Sequence, residues 1–443
     1  MKYMNSTLLK KLNTTLPSSI KRLIGPYIRK KLFNNAVFRN QFEELNQTDK
    51  NDTTAIKKMQ FEKLKATLIH AYEHTKYYKR KFDECGFNAY NFTSTSELNK
   101  IPLLQRKDIA ENFTDLQADN ITDYYKSTTG GSSGVSLNIL LDKDSIYRER
   151  AFIYHFWSKC GYDYKISKIA SFRGGIDFNS KTHRHNPLYN EIQLNPCLIN
   201  KDTVNKYFLL IEKFKPQFLH GLPSAIYSFC KYAGQSGIDL GNKYKAVLFI
   251  SENVYEYQRQ FIEQSLGCKS YAYYGHTERS VFAEQVGEGY HFNDCYSYVE
   301  FDDKSSNIIT TGFINRKMPL IRYELDDSII QIPGTGLYEI TGHRDGLLYG
   351  KNNEIISAAS LYIHDSTMDK VANQQFIQEY PGIVKMLVCP INELTEGDRK
   401  LIEKYYQDKL GSAIDIEVEV AKDLIFTKRG KLPLIIQKGA FHQ

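Results

Sequence analysis

Buried strands alternate with amphipathic helices along this chain, and this order is what most restricts its fold. Residues 246–250 are Ala-Val-Leu-Phe-Ile, an unbroken apolar run that predicts a buried strand. Residues 257–266 follow as a predicted helix that ends at Gly267, and residues 268–273 form the next predicted strand. The order strand, helix, strand predicts an α/β fold with parallel and mixed sheets covered by helices.

The composition is that of an ordinary globular protein and excludes several other classes. With 443 residues, 42% hydrophobic and 25% charged, the chain is neither collagen-like nor wholly disordered. It has no run of about 18 apolar residues, so no membrane-spanning helix is predicted. The net charge of +7 is too small to indicate nucleic-acid binding. Seven scattered cysteines without a Cys-x-x-Cys pair predict a reducing, cytoplasmic location.

Composition shifts and turn signals divide the chain into three predicted parts. These are a basic N-terminal arm over residues 1–54, a large domain over 55–341 and a small α+β domain over 342–443. The glycine-rich turn at 342–346 marks the second boundary. The elements predicted near the ends are a helix over 55–83, a strand over 384–388, a helix over 395–410 capped by Thr395 and Gly411, and a strand over 414–420.

The N-terminal arm is strongly basic. Residues 1–41 carry nine Lys and Arg and no acidic residue, and Pro17 and Pro26 are expected to cut this stretch into short helices. A basic amphipathic arm can lie on an anionic membrane. The alternative is an arm that wraps around the large domain.

A run of small residues provides the strongest local signal for a ligand. The run is Ser127, Thr128, Thr129, Gly130, Gly131, Ser132, Ser133 and Gly134. Glycines let a backbone approach a ligand closely, successive amides bind anions, and hydroxyls add donors for phosphate oxygens. The alternatives are a flexible turn and, through the pattern G-x-S-x-G, a hydrolase nucleophile elbow. The elbow needs a helix after it, whereas a β-rich run over 137–141 is predicted here.

Three further clusters carry chemistry-bearing side chains. Residues 273–278, Tyr-Tyr-Gly-His-Thr-Glu, follow a predicted strand, at the end where α/β folds place ligands. Residues 318–327 contain a carboxylate that could bond ribose hydroxyls, or else only a surface Arg–Asp pair. Residues 428–431, Lys-Arg-Gly-Lys, could bring a lysine into a site, or else form a solvated basic turn.

Taken in order, these clusters resemble the adenylate-forming superfamily of acyl-CoA synthetases. The phenylacetate–CoA ligase/CapK-like branch, which includes capsular polysaccharide biosynthesis proteins, is the more similar one. Its motifs are matched by His70-Ala71, Tyr77-Tyr78, Ile-Pro-Leu-Leu at 101–104, Lys215-Pro216, His-Gly-Leu-Pro-Ser-Ala at 220–225, Ser251-Glu252 and Pro-Leu-Ile-Arg-Tyr at 319–323. The resemblance extends from about residue 55 to 435.

The resemblance implies an activity and its partners. It implies an ATP- and Mg²⁺-dependent ligase that activates a small-molecule carboxylate as an acyl-adenylate and passes the acyl group to CoA, an amine or a sugar hydroxyl. The large domain would carry out adenylation and the small domain would be a mobile lid. The branch also suggests surface polysaccharide biosynthesis, in the cytoplasm or peripherally at the inner face of the cytoplasmic membrane. The alternatives are a nucleotidyl transferase that leaves AMP on its product, and a non-catalytic, membrane-associated scaffold.

The resemblance also assigns roles to individual residues. The loop from Ser127 to Gly134 would hold the β- and γ-phosphates of ATP, Glu278 would bind magnesium, and Lys431 would reach the carboxylate and the α-phosphate. The other implied nucleotide-binding residues are Tyr274 against adenine, Ser251 and Glu252 nearby, Gly275, Thr277, Asp327 at the ribose, and Arg344 or its neighbour His343. His220 and Gly221 would bind the acyl substrate. Departures from the family pattern are Ser136, Asp326 and His343.

Overall fold

A computed structural model describes most of the chain. The residues described are 18–128, 137–174, 178, 181–301, 307–343, 347–352, 354–357, 361, 368, 370–391, 393–421, 423–427 and 430–439. By internal contacts the chain divides into two compact units. The first unit comprises residues 1–32, 160–272 and 344–443, and the second comprises residues 33–159 and 273–343.

The helices and strands alternate through most of the chain. The α-helices are α1 Ser18–Phe33, α2 Ala36–Thr48, α3 Thr53–His74, α4 Lys76–Glu84, α5 Arg106–Glu111, α6 Asp144–Ser158, α7 Val204–Phe214, α8 Pro223–Gln235, α9 Glu256–Leu266 and α10 Glu396–Leu410. Short 3-10 helices lie at Thr95–Lys100, Pro187–Tyr189, Pro196–Leu198 and Gly411–Ala413. The strands are β1 Tyr124–Thr128, β2 Asn138–Asp142, β3 Ile169–Phe172, β4 His183–Asn186, β5 Glu191–Leu194, β6 Phe218–Gly221, β7 Ala246–Phe249, β8 Ser270–Gly275, β9 Phe282–Val286, β10 Gly289–Phe292, β11 Ser297–Phe301, β12 Asn307–Gly312, β13 Tyr323–Ile332, β14 Leu337–His343, β15 Leu347–Tyr349, β16 Ile355–Ser357, β17 Val371–Tyr380, β18 Ile383–Pro390, β19 Asp415–Val420 and β20 Ile435–Gln437.

The first unit contains a largely parallel sheet. Its strand order is β4-β5-β3-β6-β7, followed by residues 270–272 of β8. Only β4, at the edge, runs antiparallel to its neighbour. Every residue of β3, β5, β6 and β7 is buried, as parallel strands covered on both faces require. The predicted α/β class is therefore confirmed.

The C-terminal part of the first unit has its own sheet and core. The strand order is β19-β18-β17-β20, in which the two outer pairs are parallel and the central pair is antiparallel. Helix α10 begins at a capping box formed by Thr395 and Asp398 and ends at Gly411. Phe376, Ile402 and Tyr406 are among the buried core residues. The strands and the helix predicted over 384–420 are thus confirmed.

The second unit contains an antiparallel sheet. Residues 273–275 of β8 begin the order β8-β9-β10-β14-β13-β12-β11, and β1 pairs with β2 as a separate hairpin. Its hydrophobic core joins side chains of α3 and α4 to those of the sheet, including Leu68, Phe82 and Tyr323. Helix α2 buries Phe38 and Leu45.

Several predicted boundaries are corrected. The helix predicted over 55–83 is two helices, because the Thr75 side chain caps α4 by accepting from the Tyr78 amide. Pro26 lies inside α1 instead of ending a helix there. The strand predicted at 268–273 begins at Ser270. Gly342 and His343 are the last residues of β14 and not part of a turn.

The three-part domain division and the mobility of the small domain stay predictions. In the described part of the chain, no helix is sufficiently long and apolar to cross a membrane.

Candidate active site

A tyrosine, a histidine and an aspartate meet at the end of β8 in the second unit. The Tyr274 hydroxyl donates to Asp327 Oδ2 at 2.6 Å. His276 Nε2 lies 2.8 Å from the same oxygen and 2.6 Å from the Tyr274 hydroxyl. Asp327, on β13, is only 3% exposed. Tyr274 and Asp327, for which the family resemblance implies roles at one nucleotide, are thus in direct contact.

Burial and the neighbouring charges shift the proton affinities in this cluster. Burial, the Asp327 charge and the hydrogen bond to it raise the pKa of Tyr274, so its hydroxyl stays protonated at neutral pH. Burial opposes the charged form of His276. The hydrogen bond to Asp327 and the nearby carboxylate charges outweigh burial and raise the pKa of His276.

Glu278 lies in the loop between β8 and β9 and is 3% exposed. The Tyr323 hydroxyl donates to Glu278 Oε1 over 3.4 Å, and the Arg106 guanidinium lies 3.7 Å from the same oxygen. Arg106 also lies 3.5 Å from Asp326. Arg106 is not among the residues that the sequence motifs predict for the site. A signal for it was available, since it follows the Ile-Pro-Leu-Leu motif by two residues.

The Glu278 carboxylate is the group here that fits a magnesium ion of the kind that nucleotide-binding enzymes use. Among the described residues, no group of three or more His, Cys, Asp or Glu side chains could hold a metal. Magnesium in such sites is bound by one or two carboxylates together with substrate phosphates and water. The long contacts of Glu278 at 3.4 and 3.7 Å leave its carboxylate able to accept such an ion.

The Pro-Leu-Ile-Arg-Tyr string has a structural role. Arg322 donates to the carbonyls of Leu98 and Ile101 and pairs with Glu300 at 3.0 Å. The alternative prediction of a surface Arg–Asp pair is therefore wrong for Arg322, because its guanidinium pairs with Glu300 instead of an aspartate. The Ile321 amide donates to the Tyr78 hydroxyl at 2.8 Å. This bond joins the Tyr-Tyr pair to the later string in the folded chain.

The variant Tyr78→Phe should test this link. It leaves the buried Ile321 amide without its acceptor, so the free energy of unfolding should fall by about 1–3 kcal/mol. Denaturant unfolding monitors the loss. Tyr90→Phe removes a hydroxyl bonded to Glu73 at the surface, and a loss as large in this control would contradict the assignment.

The small-residue loop is described only at its start. Ser127 and Thr128 end β1, where they face Ile139 and Asn138 of β2. Thr129, Gly130, Gly131, Ser132, Ser133 and Gly134 lie outside the described residues. Strand β2 begins at Asn138, where a nucleophile elbow would have its helix. The phosphate-binding role of the loop stays a prediction.

In the first unit, Glu252 joins two segments that are distant in sequence. Its carboxylate accepts from the Ser224 amide in the first turn of α8 and from the Leu432 amide, each at 3.2 Å. Ser251, just before it, has φ of +66°, which is uncommon for a residue with a side chain. Burial raises the pKa of Glu252, while these hydrogen bonds and the Lys431 charge act in the opposite direction.

Lys431 lies in a tight turn. The Gly430 amide donates to the Thr427 carbonyl at 2.8 Å, and the Lys431 amide donates to the Thr427 hydroxyl at 3.1 Å. Gly430 has φ of +73°, and a Cβ there would lie 2.8 Å from Gly174 Cα. Only glycine fits this close approach. The turn is therefore packed against the first unit and is not simply solvated.

The proposed acyl-binding residues lie at the end of β6. His220 is buried, its Nδ1 lies 3.0 Å from the Ser171 hydroxyl, and burial with the nearby Arg173 charge holds its pKa well below the usual value. Gly221 has φ of +138°, and a Cβ there would lie 2.1 Å from the Phe172 carbonyl oxygen.

The remaining predicted residues are Gly275, Thr277, His343 and Arg344. Gly275 pairs with Phe282 at the end of β8, and Thr277 is half-buried in the following loop. His343 faces Asp327 across β14 and β13. Arg344 lies outside the described residues.

Comparison with known proteins shows what the chain is similar to. Residues 348–438 match a family model described as the CapK C-terminal domain. Protein CapK of Staphylococcus aureus is 22% identical over 358 residues, which cover 76% of this chain and 80% of CapK. A phenylacetate-coenzyme A ligase of Pseudomonas putida is 23% identical over 321 residues, covering 66% of this chain and 72% of the ligase. The C-terminal region is thus that of a CapK-type protein, and the chain as a whole is similar to CapK and to phenylacetate-coenzyme A ligases.

A solved structure has a similar architecture. The structure of 2-hydroxyisobutyryl-CoA ligase, in its postadenylation state, aligns with a TM-score of 0.66 at 15% identity. The alignment covers 86% of this chain and 89% of that one. At this identity the likeness shows the shared fold.

Proposed function

We propose that this protein is an ATP-dependent ligase that activates a carboxylate as an acyl-adenylate and passes the acyl group to CoA or another acceptor. The observation that carries the proposal is the contact of Tyr274 with Asp327 at 2.6 Å. An aromatic ring for a base and a buried carboxylate for ribose hydroxyls are the two groups that a nucleoside requires. The likeness to phenylacetate-coenzyme A ligases supports the same chemistry.

The first half-reaction joins the carboxylate to AMP. A carboxylate oxygen attacks the α-phosphorus of ATP, a new P–O bond forms, and the bond to pyrophosphate breaks. We assign Lys431 to the charge that develops on the α-phosphate, and the Ser127–Gly134 loop to the other phosphates. Glu278 would hold Mg²⁺, which supplies positive charge to the phosphates when it is bound.

The second half-reaction transfers the acyl group. The acceptor attacks the acyl carbon and AMP leaves with the electron pair of the broken C–O bond. We place the acyl group near His220 and Gly221. His220 is held neutral by burial and can position a polar group without adding charge. As the biological setting we propose surface polysaccharide biosynthesis, which the motifs of the CapK-like branch suggest.

Pyrophosphate exchange into ATP, across a panel of carboxylic acids and amino acids, tests the proposal. Exchange that depends on one acid supports adenylation, and analysis of the product after adding CoA, amines or sugars identifies the acceptor. AMP retained on the product would indicate a nucleotidyl transferase instead. The absence of exchange and of ATP binding would favour a scaffold.

We also propose that the basic arm contacts an anionic membrane. Helix α1 carries Ile20, Leu23 and Tyr27 at 42%, 82% and 71% exposure. Its other side is packed, because Ile28 is buried and Gly25 lies against Pro187. Exposed apolar side chains on a basic segment suit the interface of an anionic bilayer.

Binding to vesicles of phosphatidylglycerol and phosphatidylcholine tests this contact. Leu23→Ser with Tyr27→Ser should weaken co-sedimentation by about tenfold or more, and binding of the unmodified chain should fall as salt is added. Leu209→Ser, which changes another exposed leucine, serves as the matched control. Equal binding by all three proteins would show that α1 is not the contact.

A further inference from the structure

His276 is the central residue of the cluster around Asp327. Its Nε2 lies within hydrogen-bond distance of both the Tyr274 hydroxyl and Asp327 Oδ2, at 2.6 and 2.8 Å. A carboxylate only accepts hydrogen bonds, so Nε2 must carry the proton that it shares with Asp327. The Tyr274 hydroxyl then donates to Asp327 and accepts from His276.

The histidine also constrains the tyrosine ring. The two rings lie 4.8 Å apart at 70°, an edge-to-face contact. The backbone around His276 is itself fixed, because Gly275 pairs with Phe282 and the Arg279 amide donates to the His276 carbonyl at 3.1 Å. His276 is 14% exposed at its side chain and Asp327 5%. Little water competes for these bonds.

We propose that His276 is a positioning residue that sets the orientation of the Asp327 carboxylate and the Tyr274 ring for nucleoside binding. The inference rests on the proposed function, in which Asp327 meets the ribose and Tyr274 the base. Without the imidazole, the tyrosine hydroxyl loses a donor and Asp327 Oδ2 loses its bond from Nε2. Each could then adopt other rotamers, so that binding has to select the productive one.

This role makes ribose recognition depend on a residue that need not touch the nucleotide. Asp327 can favour ATP over 2′-deoxyATP only while its carboxylate is held at the hydroxyls. Loss of His276 should therefore weaken ATP binding and also reduce the preference for ATP. A residue that merely supports folding would not change that preference.

Calorimetric titration with ATP, 2′-deoxyATP and Mg²⁺ tests the inference on the full chain without knowledge of the acid. We expect His276→Ala to weaken ATP binding about tenfold and to reduce the ratio of the two dissociation constants severalfold. His276→Gln keeps an N–H donor and should recover part of both. Thermal unfolding of each variant shows whether it is folded. If His276→Ala is not folded, His276→Gln is compared with the unmodified chain instead.

Asp327→Asn separates this inference from the proposed function. If the unmodified chain binds no ATP, the proposed function fails. If Asp327→Asn weakens ATP binding while folded His276 variants keep both the affinity and the preference for ATP, the proposed function stands and the positioning role is overturned. The positioning role is also overturned if folded His276→Ala and His276→Gln have the same affinity for ATP and the same preference over 2′-deoxyATP. The N–H donor that only the Gln variant keeps would then have no effect on nucleotide binding.

Discussion

Lys431→Ala is expected to slow acyl-adenylate formation by about 10²-fold or more, because it removes a positive charge from the transition state. ATP affinity should change much less, since the proposed contact strengthens only as charge develops on the α-phosphate. The turn itself should persist in the variant. It is held by backbone bonds to Thr427 and by the close approach of Gly430 to Gly174.

The measurement is single-turnover formation of the adenylate with the acid that the exchange panel identifies. Lys438→Ala is the matched control, since Lys438 belongs to the same C-terminal region and pairs with Glu379 at the surface. Adenylation at the unmodified rate by Lys431→Ala would remove this lysine from the mechanism. A loss in the control of the same size would attribute the effect to general destabilisation.

Glu278→Gln is expected to raise the magnesium concentration needed for half-maximal adenylation by about tenfold or more and to reduce turnover. The amide preserves the size of the side chain but removes the negative charge that would bind the ion. It also leaves Arg106 with Asp326 as its carboxylate neighbour at 3.5 Å. The site as a whole therefore becomes more positive and less favourable for a cation.

Magnesium titrations of adenylation compare this variant with Glu324→Gln. Glu324 lies on β13, next to Tyr323, and its carboxylate accepts from Gln105 and Asn307. The control should titrate like the unmodified chain. Titration curves for Glu278→Gln that superimpose on those of the unmodified chain would make Glu278 a structural residue.

The sequence by itself determined the elements whose signals are local. The apolar run at 246–249 is a buried strand, the helix before Gly267 ends in a left-handed cap, and Thr395 starts α10. Each depends on a few neighbouring residues, so the pattern suffices. The motifs of the sequence also predicted the likeness to CapK and to phenylacetate-coenzyme A ligases, which the comparisons confirm.

Only the tertiary structure decided which side chains meet. Asp327 is more than fifty residues from Tyr274, and Glu252 is 180 residues from Leu432. Such contacts depend on strand register and on packing, which no local pattern encodes. The pairing of Arg106 with Glu278 and the central place of His276 are of this kind. The sequence identifies a polar side chain within a motif. Which partner that side chain contacts is determined by the tertiary fold, because the fold buries the two groups together.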